Sequence, residues 1–243
     1  MDTKSYFKYY RILLFMLVVI TFTSCIKPKE PCTINYQFSL PINILPPNDT
    51  FKLGDTFYIE YKSPIKMYNL KEGQYVSMQN FGFSVFTDLY KITDQDSNRF
   101  IDISTPGYNN SISRISSDYF DFKSIIGKID SIGGNNTHAV ILENSISQDS
   151  FFHKSAFILK DTGLFYFQFR DVYANFGNDR YFKLTESECT QYYYEFLYTV
   201  NNKNTNIELL SNRGITPILC QGYNSDAQKH NFEQGSWSFV VVP

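Results

Sequence analysis

The residues Asp94-Gln95-Asp96-Ser97-Asn98 alternate oxygen donors as a calcium loop does, where a tight turn converges carboxylate and amide oxygens on one ion. Such a loop next needs a glycine and later a bidentate glutamate, and Arg99 and Thr105 stand in those places. The segment therefore reads as a solvated polar turn. His138, His153 and His230 are the only histidines, and none has a second His or a Cys three or four residues away, so no local zinc motif forms. The sequence also lacks G-x-S-x-G, H-E-x-x-H and a phosphate-cradling glycine loop. No catalytic residue can be named on this basis, and neither a metal nor a cofactor is expected. Carboxylates on distant strands could still meet to hydrolyse a glycosidic bond, because their separation in space, not in sequence, defines such a pair.

Aromatic side chains are the other chemistry on offer, with 19 Tyr and 23 Phe among 243 residues. Their faces can stack on sugar rings, and they equally make the core of a sandwich. In Leu164–Arg170 and in Tyr192–Val200 the apolar residues alternate, so each run has one buried face. Tyr166 and Tyr193 fall opposite their aromatic neighbours, which makes them candidates for ligand contact; packing under a loop is the plainer reading.

The amino terminus carries a different kind of signal. Lys4, Lys8 and Arg11 precede an apolar run, Ile12 to Phe22, which ends at Thr23-Ser24-Cys25. A basic region, a short apolar stretch and a small-residue exit make a signal peptide. The apolar run would rise only about 16 Å as a helix, against about 30 Å of hydrocarbon. Phe22-Thr23-Ser24-Cys25 resembles a bacterial lipobox, with Phe where Leu is usual. That resemblance implies that Cys25 receives diacylglycerol and becomes the mature N-terminus, so that the membrane is a partner through this lipid. Ile26-Lys27-Pro28-Lys29-Glu30-Pro31 is polar and broken by proline, as suits a tether.

Export also bears on the remaining thiols, Cys32, Cys189 and Cys220. An oxidising compartment allows one bridge among them. Cys189–Cys220 is the expected pair, with a bridge from Cys32 to either as the alternative. The charge of −2 comes from 22 basic and 24 acidic residues without a basic run beyond the signal peptide, which argues against nucleic acid as a partner. The vocabulary of Lys, Asn, Ile, Tyr and Phe resembles that of uncharacterised Bacteroidota cell-envelope lipoproteins. Asp130-Ser131-Ile132 likewise resembles the short O-glycosylation acceptor of that group.

The elements that must position these residues read as strands. Ile34–Leu40 alternates and should close at Pro41. A Gly54-Asp55 turn feeds Phe57–Lys62, with Phe57, Ile59 and Tyr61 on one face and Glu60 and Lys62 on the other. The phrase Phe51-Lys52-Leu53-Gly54-Asp55-Thr56 is similar to one found in immunoglobulin-like sandwiches of extracellular bacterial proteins. Further strands are expected over 81–86, 99–103, 139–142, 156–159, 164–169, 192–200 and 237–242. Asp161-Thr162-Gly163 should join 156–159 and 164–169 as a hairpin. Short helices are expected over 206–212 and 225–232, and the weakly patterned stretch 109–136 is the expected excursion or seam.

The expectation is thus a mainly β protein of immunoglobulin-like β-sandwich architecture with a few short helices near the C-terminus. Residues 1–24 would be the signal peptide, 25–32 the lipidated tether and 33–243 the ectodomain. Function is expected to be non-enzymatic: a membrane-anchored cell-envelope lipoprotein that binds or assembles with a glycan, a peptide or an envelope protein. The alternative is an envelope hydrolase of polysaccharide or peptide with dispersed acidic residues. The tether lacks an acidic run, which favours the periplasmic face of the outer membrane over the cell surface.

Overall fold

The computed structural model describes residues 33–78, 84–92, 100–102, 119–132, 139–147, 149–171, 191–213, 216–218, 230 and 233–243. The expected signal peptide 1–24, Cys25 and the expected tether 25–32, Asp94–Asn98, His138, Cys189 and Cys220 lie outside these residues, as does most of the expected helix 225–232.

Two six-stranded sheets form the expected mainly β sandwich. The first holds β1 (Thr33–Leu45), β3 (Thr56–Pro64), β8 (Phe120–Ile126), β11 (Ser145–Ser147), β12 (Ser150–Leu159) and β14 (Gln191–Val200), in the order β11-β12-β3-β1-β14 with β8 also on β12. The second holds β2 (Thr50–Lys52), β6 (Ser84–Ile92), β9 (Lys128–Ile132), β10 (Ala139–Glu143), β13 (Gly163–Asp171) and β16 (Ser236–Val242), in the order β2-β16-β13-β6-β10-β9. Two small ribbons accompany them: β4 (Lys66–Asn69) with β5 (Gln74–Ser77), and β7 (Phe100–Asp102) with β15 (Thr216–Ile218). The short helix α1 (Glu208–Ser211) falls inside the expected 206–212.

Alternation explains the core. Tyr36, Phe38, Leu40, Ile42 and Ile44 of β1 face inward with Phe57, Ile59 and Tyr61 of β3. They meet Phe165, Phe167 and Phe169 of β13 and Trp237, Phe239 and Val241 of β16 from the other sheet. Phe167 is fully buried, with ring centroids of Phe239, Phe120 and Phe57 at 5.4, 5.5 and 5.6 Å. Rings at this spacing, tilted or edge to face, add to what burial of their area contributes.

Two expectations about connections are corrected. Pro41 does not end the first strand, because β1 runs through it to Leu45. Gln37 turns its backbone away from β14: its amide donates to Asn69 Oδ1 at 3.0 Å and its carbonyl accepts from the Leu70 amide at 2.8 Å. Pro41 is four residues on and has the same orientation, so its missing N–H costs no ladder bond. Next, 156–159 and 164–169 do not form a hairpin. The former belong to β12, paired with β3 and β8, and the latter to β13, paired with β6 and β16, so the turn between them crosses from one sheet to the other. Within the stretch 109–136, the described residues 119–132 hold β8 and β9, one in each sheet, joined at Gly127.

Candidate functional site

The outer faces of the two sheets differ. On the second sheet, Leu164 and Tyr166 of β13, Ile92 of β6 and Leu210 of α1 form a small second core, with Ile207 and Leu209 packed against it. Ser236 and Ser238 on the same face are also buried. Their cover is held in place by the Ser238 amide, which donates to the Thr205 carbonyl at 2.9 Å. The chain's own segment around α1 thus closes this face.

The outer face of the first sheet is open. Asn35, Ser39, Pro41 and Asn43 of β1 are exposed, and Gln37 between them is half-buried. Next to them, Gln37 Nε2 donates to Glu195 Oε2 at 2.6 Å. On the other flank Lys154 donates to Glu60 Oε2 at 3.1 Å, and its ammonium stands 5.4 Å from the centroid of the Tyr58 ring. The Lys154 and Glu60 side chains are 30% and 25% exposed, so water screens the pair only in part. Exposed Leu45 pairs with Tyr58 across the strands, and Ala156 pairs with Tyr58 on its other side. The result is a face of small polar groups with paired charges, on which Leu45 is exposed beside half-buried Tyr58.

Of the residues singled out in the sequence, Tyr166 is fully buried under α1, with the Tyr90 ring centroid 5.8 Å away. Burial pushes its phenol well above the ordinary value, while a hydrogen bond with Ser236 pulls the other way. Its ring packs beneath the covering segment and takes no part in the open face. Tyr193 lies on β14 opposite Asn35, and its side chain is outside the described residues. The sequence does not mark Glu60, Lys154 and Tyr58 as a site, since alternation assigns Glu60 to a solvent face without saying which strands lie side by side.

A second cluster sits at the corner where β8 hands over to β9. His153 is fully buried on the inner face of β12. Its Nδ1 lies 2.8 Å from the Glu143 carbonyl and its Nε2 3.0 Å from Ser155 Oγ. A carbonyl only accepts, so Nδ1 carries the hydrogen in this arrangement and neutral Nε2 accepts from the serine hydroxyl. The Tyr61 ring stacks on the imidazole at 5.3 Å and its hydroxyl donates to the Leu142 carbonyl at 2.9 Å. Burial holds His153 below the ordinary imidazole value and pushes the Tyr61 phenol far up. His153 Nδ1 and the Tyr61 phenol tie β12 and β3 to β10, while Nε2 is held by Ser155 on its own strand, so the cluster joins the two sheets.

Glu60 and Glu195 are the carboxylates flanking β1 on the open face. Glu60 lies opposite Asn43 and Glu195 opposite Gln37, so the strand rise alone separates them by about 20 Å. A glycosidase pair stands roughly 5 to 9.5 Å apart, so these two do not make one. Among the described residues no group of three or more His, Cys, Asp or Glu is placed to hold a metal ion.

No family model and no curated protein matches the chain. Among solved structures it is similar to the human F-spondin reeler domain (fragment 1), at 11% identity over 70% of this chain and 91% of that one, with a TM-score of 0.28. It is also similar to the type II cohesin dyad from the adaptor ScaA scaffoldin of Acetivibrio cellulolyticus, at 12% identity over 56% of this chain and 39% of that one, with a TM-score of 0.23. The sandwich itself is defined by the pairing of its own strands, given above.

Proposed function

We propose that the chain is a lipid-anchored protein of the bacterial cell envelope that binds or assembles with a neighbouring protein through the open face of its first sheet. The observation that carries this reading is the difference between the two outer faces. The chain covers one with its own α1 segment and leaves the other exposed along β1, with charges already paired and Leu45 bare. A sheet face that needed only solvent would not require Lys154, Glu60 and Tyr58 in a fixed arrangement, whereas a docking surface gains specificity from charges held in place.

The anchor is supported by the basic, apolar and small-residue run that ends at Cys25. With two or three acyl chains on that cysteine, attachment would be durable where a single chain is marginal. The tether, with Lys27 and Lys29 against Glu30, supports the periplasmic side of the outer membrane.

Two measurements test the reading. In detergent phase partitioning, wild type should enter the detergent phase and Cys25→Ala the aqueous phase; identical partitioning would overturn the anchor. A photo-crosslinking residue placed at Ser39 or Asn43 in intact cells should give a discrete adduct that the same residue at Glu208, exposed on α1, does not. The same pattern at all three positions, or no adduct at any, would overturn the binding face.

A further inference from the structure

Eight large apolar side chains are exposed among the described residues, and both tyrosines in that set lie on one hairpin. Tyr68 of β4 and Tyr75 of β5 are direct cross-strand partners, 45% and 64% exposed, with Leu70 beside them at 44%. Lys66 and Lys71, both exposed, flank the three. The inward side of the same hairpin buries Met67 and Val76 in the main core, so the outward side is held rigidly.

The position of this hairpin in the fold says what can cover it. β4 follows directly on β3, which is antiparallel to β1, so it runs toward the amino-terminal end of β1. Its end is fastened there: Leu70 donates to the Gln37 carbonyl at 2.8 Å and Asn69 Oδ1 accepts from the Gln37 amide at 3.0 Å. Gln37 is four residues from Thr33, where the tether enters the sheet, a rise of about 13 Å. The β11–β12 turn lies at the same end, since Ile65 donates to the Asp149 carbonyl at 2.9 Å, and it adds exposed Ile146. Residues 26–32 can stretch to no more than roughly 30 Å between Cys25 and Thr33. Leu45 stands at the opposite end of β1, about 40 Å farther.

Building on the lipid anchor proposed above, we propose that the β4–β5 hairpin is the membrane-facing foot of the domain, with Tyr68, Leu70 and Tyr75 in the headgroup layer and Lys66 and Lys71 against lipid phosphates. Tyrosines favour the membrane–water interface because the ring is apolar and the hydroxyl stays wet. Lysines extend an apolar stem and keep the charge at the phosphates. A sugar would be served by a shared flat ring face, but the two rings meet at 65° with centroids 5.2 Å apart, which offers edges and hydroxyl tips. The domain would then stand on its tether end, with the open face of the first sheet upright and free for a partner.

The full lipidated chain in vesicles of phosphatidylethanolamine and phosphatidylglycerol tests this directly. Trp237 is the only tryptophan and is fully buried, so it gives a constant background. Tyr75→Trp should show a blue shift and a loss of emission with chain-brominated lipids, whereas Leu53→Trp, near the opposite end and 50% exposed, should show neither. Equal quenching of the two reporters, or none in either, in protein that floats with the vesicles overturns the foot and leaves the anchor standing. Shielding of the Tyr75→Trp reporter from aqueous acrylamide without lipid quenching would mean a protein or glycan occupant and also overturns it. Protein that does not float removes the anchor and the foot together.

Discussion

Burial of the His153 ring favours its neutral form, since desolvation penalises the imidazolium by more than the hydrogen bond with the Glu143 carbonyl supports it. Around the ring stand the Tyr61 phenol on β3, the Glu143 backbone on β10 and the Ser155 hydroxyl on its own strand; no carboxylate of the described residues is bonded to it. The folded-state value lies below 6.5, so as pH falls the unfolded chain takes up the proton first. The contribution to stability is therefore complete above about 6.5 and is lost progressively as pH drops below it. His230 is shifted in the same direction, chiefly by burial, and adds to the same slope. Thermal melts from about pH 7.5 to about pH 5 should show wild type losing stability across a range where few carboxylates titrate. His153→Gln, which keeps a donor for the Glu143 carbonyl, should flatten that loss. A variant with the slope of wild type would show that the corner does not respond to protons.

The turn at Gly127 lets β8 in one sheet become β9 in the other, and it can do so only with glycine. Its φ is +79°, and a Cβ there would lie 2.2 Å from the Glu143 carbonyl oxygen and 2.9 Å from His153 Nδ1. The first of these neighbours is backbone, which cannot swing aside. Gly127→Ala should therefore cost at least the about 1 to 3 kcal/mol of a strained left-handed residue, read as a lower denaturation midpoint with an unchanged slope. Gly54, at φ +88° with nothing within 4 Å of its would-be Cβ, is the control for the conformation without the clash, and equal losses at the two would refute the steric account. No sequence signal separates these two glycines, and the same holds for much of the topology. Alternation made the faces of Phe57–Lys62, Leu164–Phe169 and Tyr192–Val200 legible, because a period of two residues is all that a half-buried strand requires. It did not say which sheet each strand joins. Asp161-Thr162-Gly163 carries hairpin chemistry yet connects sheets, and β5 and β11, four and three residues long, are too short to show a period. The open face is illegible for the same reason: Gln37, Glu60, Lys154 and Glu195 come from four strands and meet only through tertiary pairing.

At the scale of the whole molecule, the last strand of the first sheet and the chain after it are secured at several points. Val200 at the end of β14 donates to the Gln234 carbonyl at 2.7 Å, and Phe169 of β13 donates to the Gly235 carbonyl at 2.9 Å, so the approach to β16 is tied to both sheets. Between β14 and β16 the chain passes through α1 and then β15, which pairs in parallel with β7 as a two-stranded ribbon of its own. In sequence, Cys189 lies two residues before Gln191, where β14 begins, and Cys220 two residues after Ile218, where β15 ends. A bridge between them would close a loop of about 30 residues around the segment that covers Tyr166, and in the chain-entropy model such a loop contributes about 3 to 4 kcal/mol. Cys32, by contrast, directly precedes β1 in sequence, so a bridge from it would fasten the start of that strand, and with it the proposed tether, to the C-terminal region. The export proposed above would supply the oxidising condition for either bond. Peptide mapping without reduction should yield the Cys189 and Cys220 peptides as one linked species, and reduction should lower the melting temperature. Recovery of a linked peptide containing Cys32, or of all three thiols free, would exclude this pairing, and would leave the cover over the second sheet resting, among the described residues, on Ile207, Leu209, Leu210 and the bond from Ser238 to Thr205.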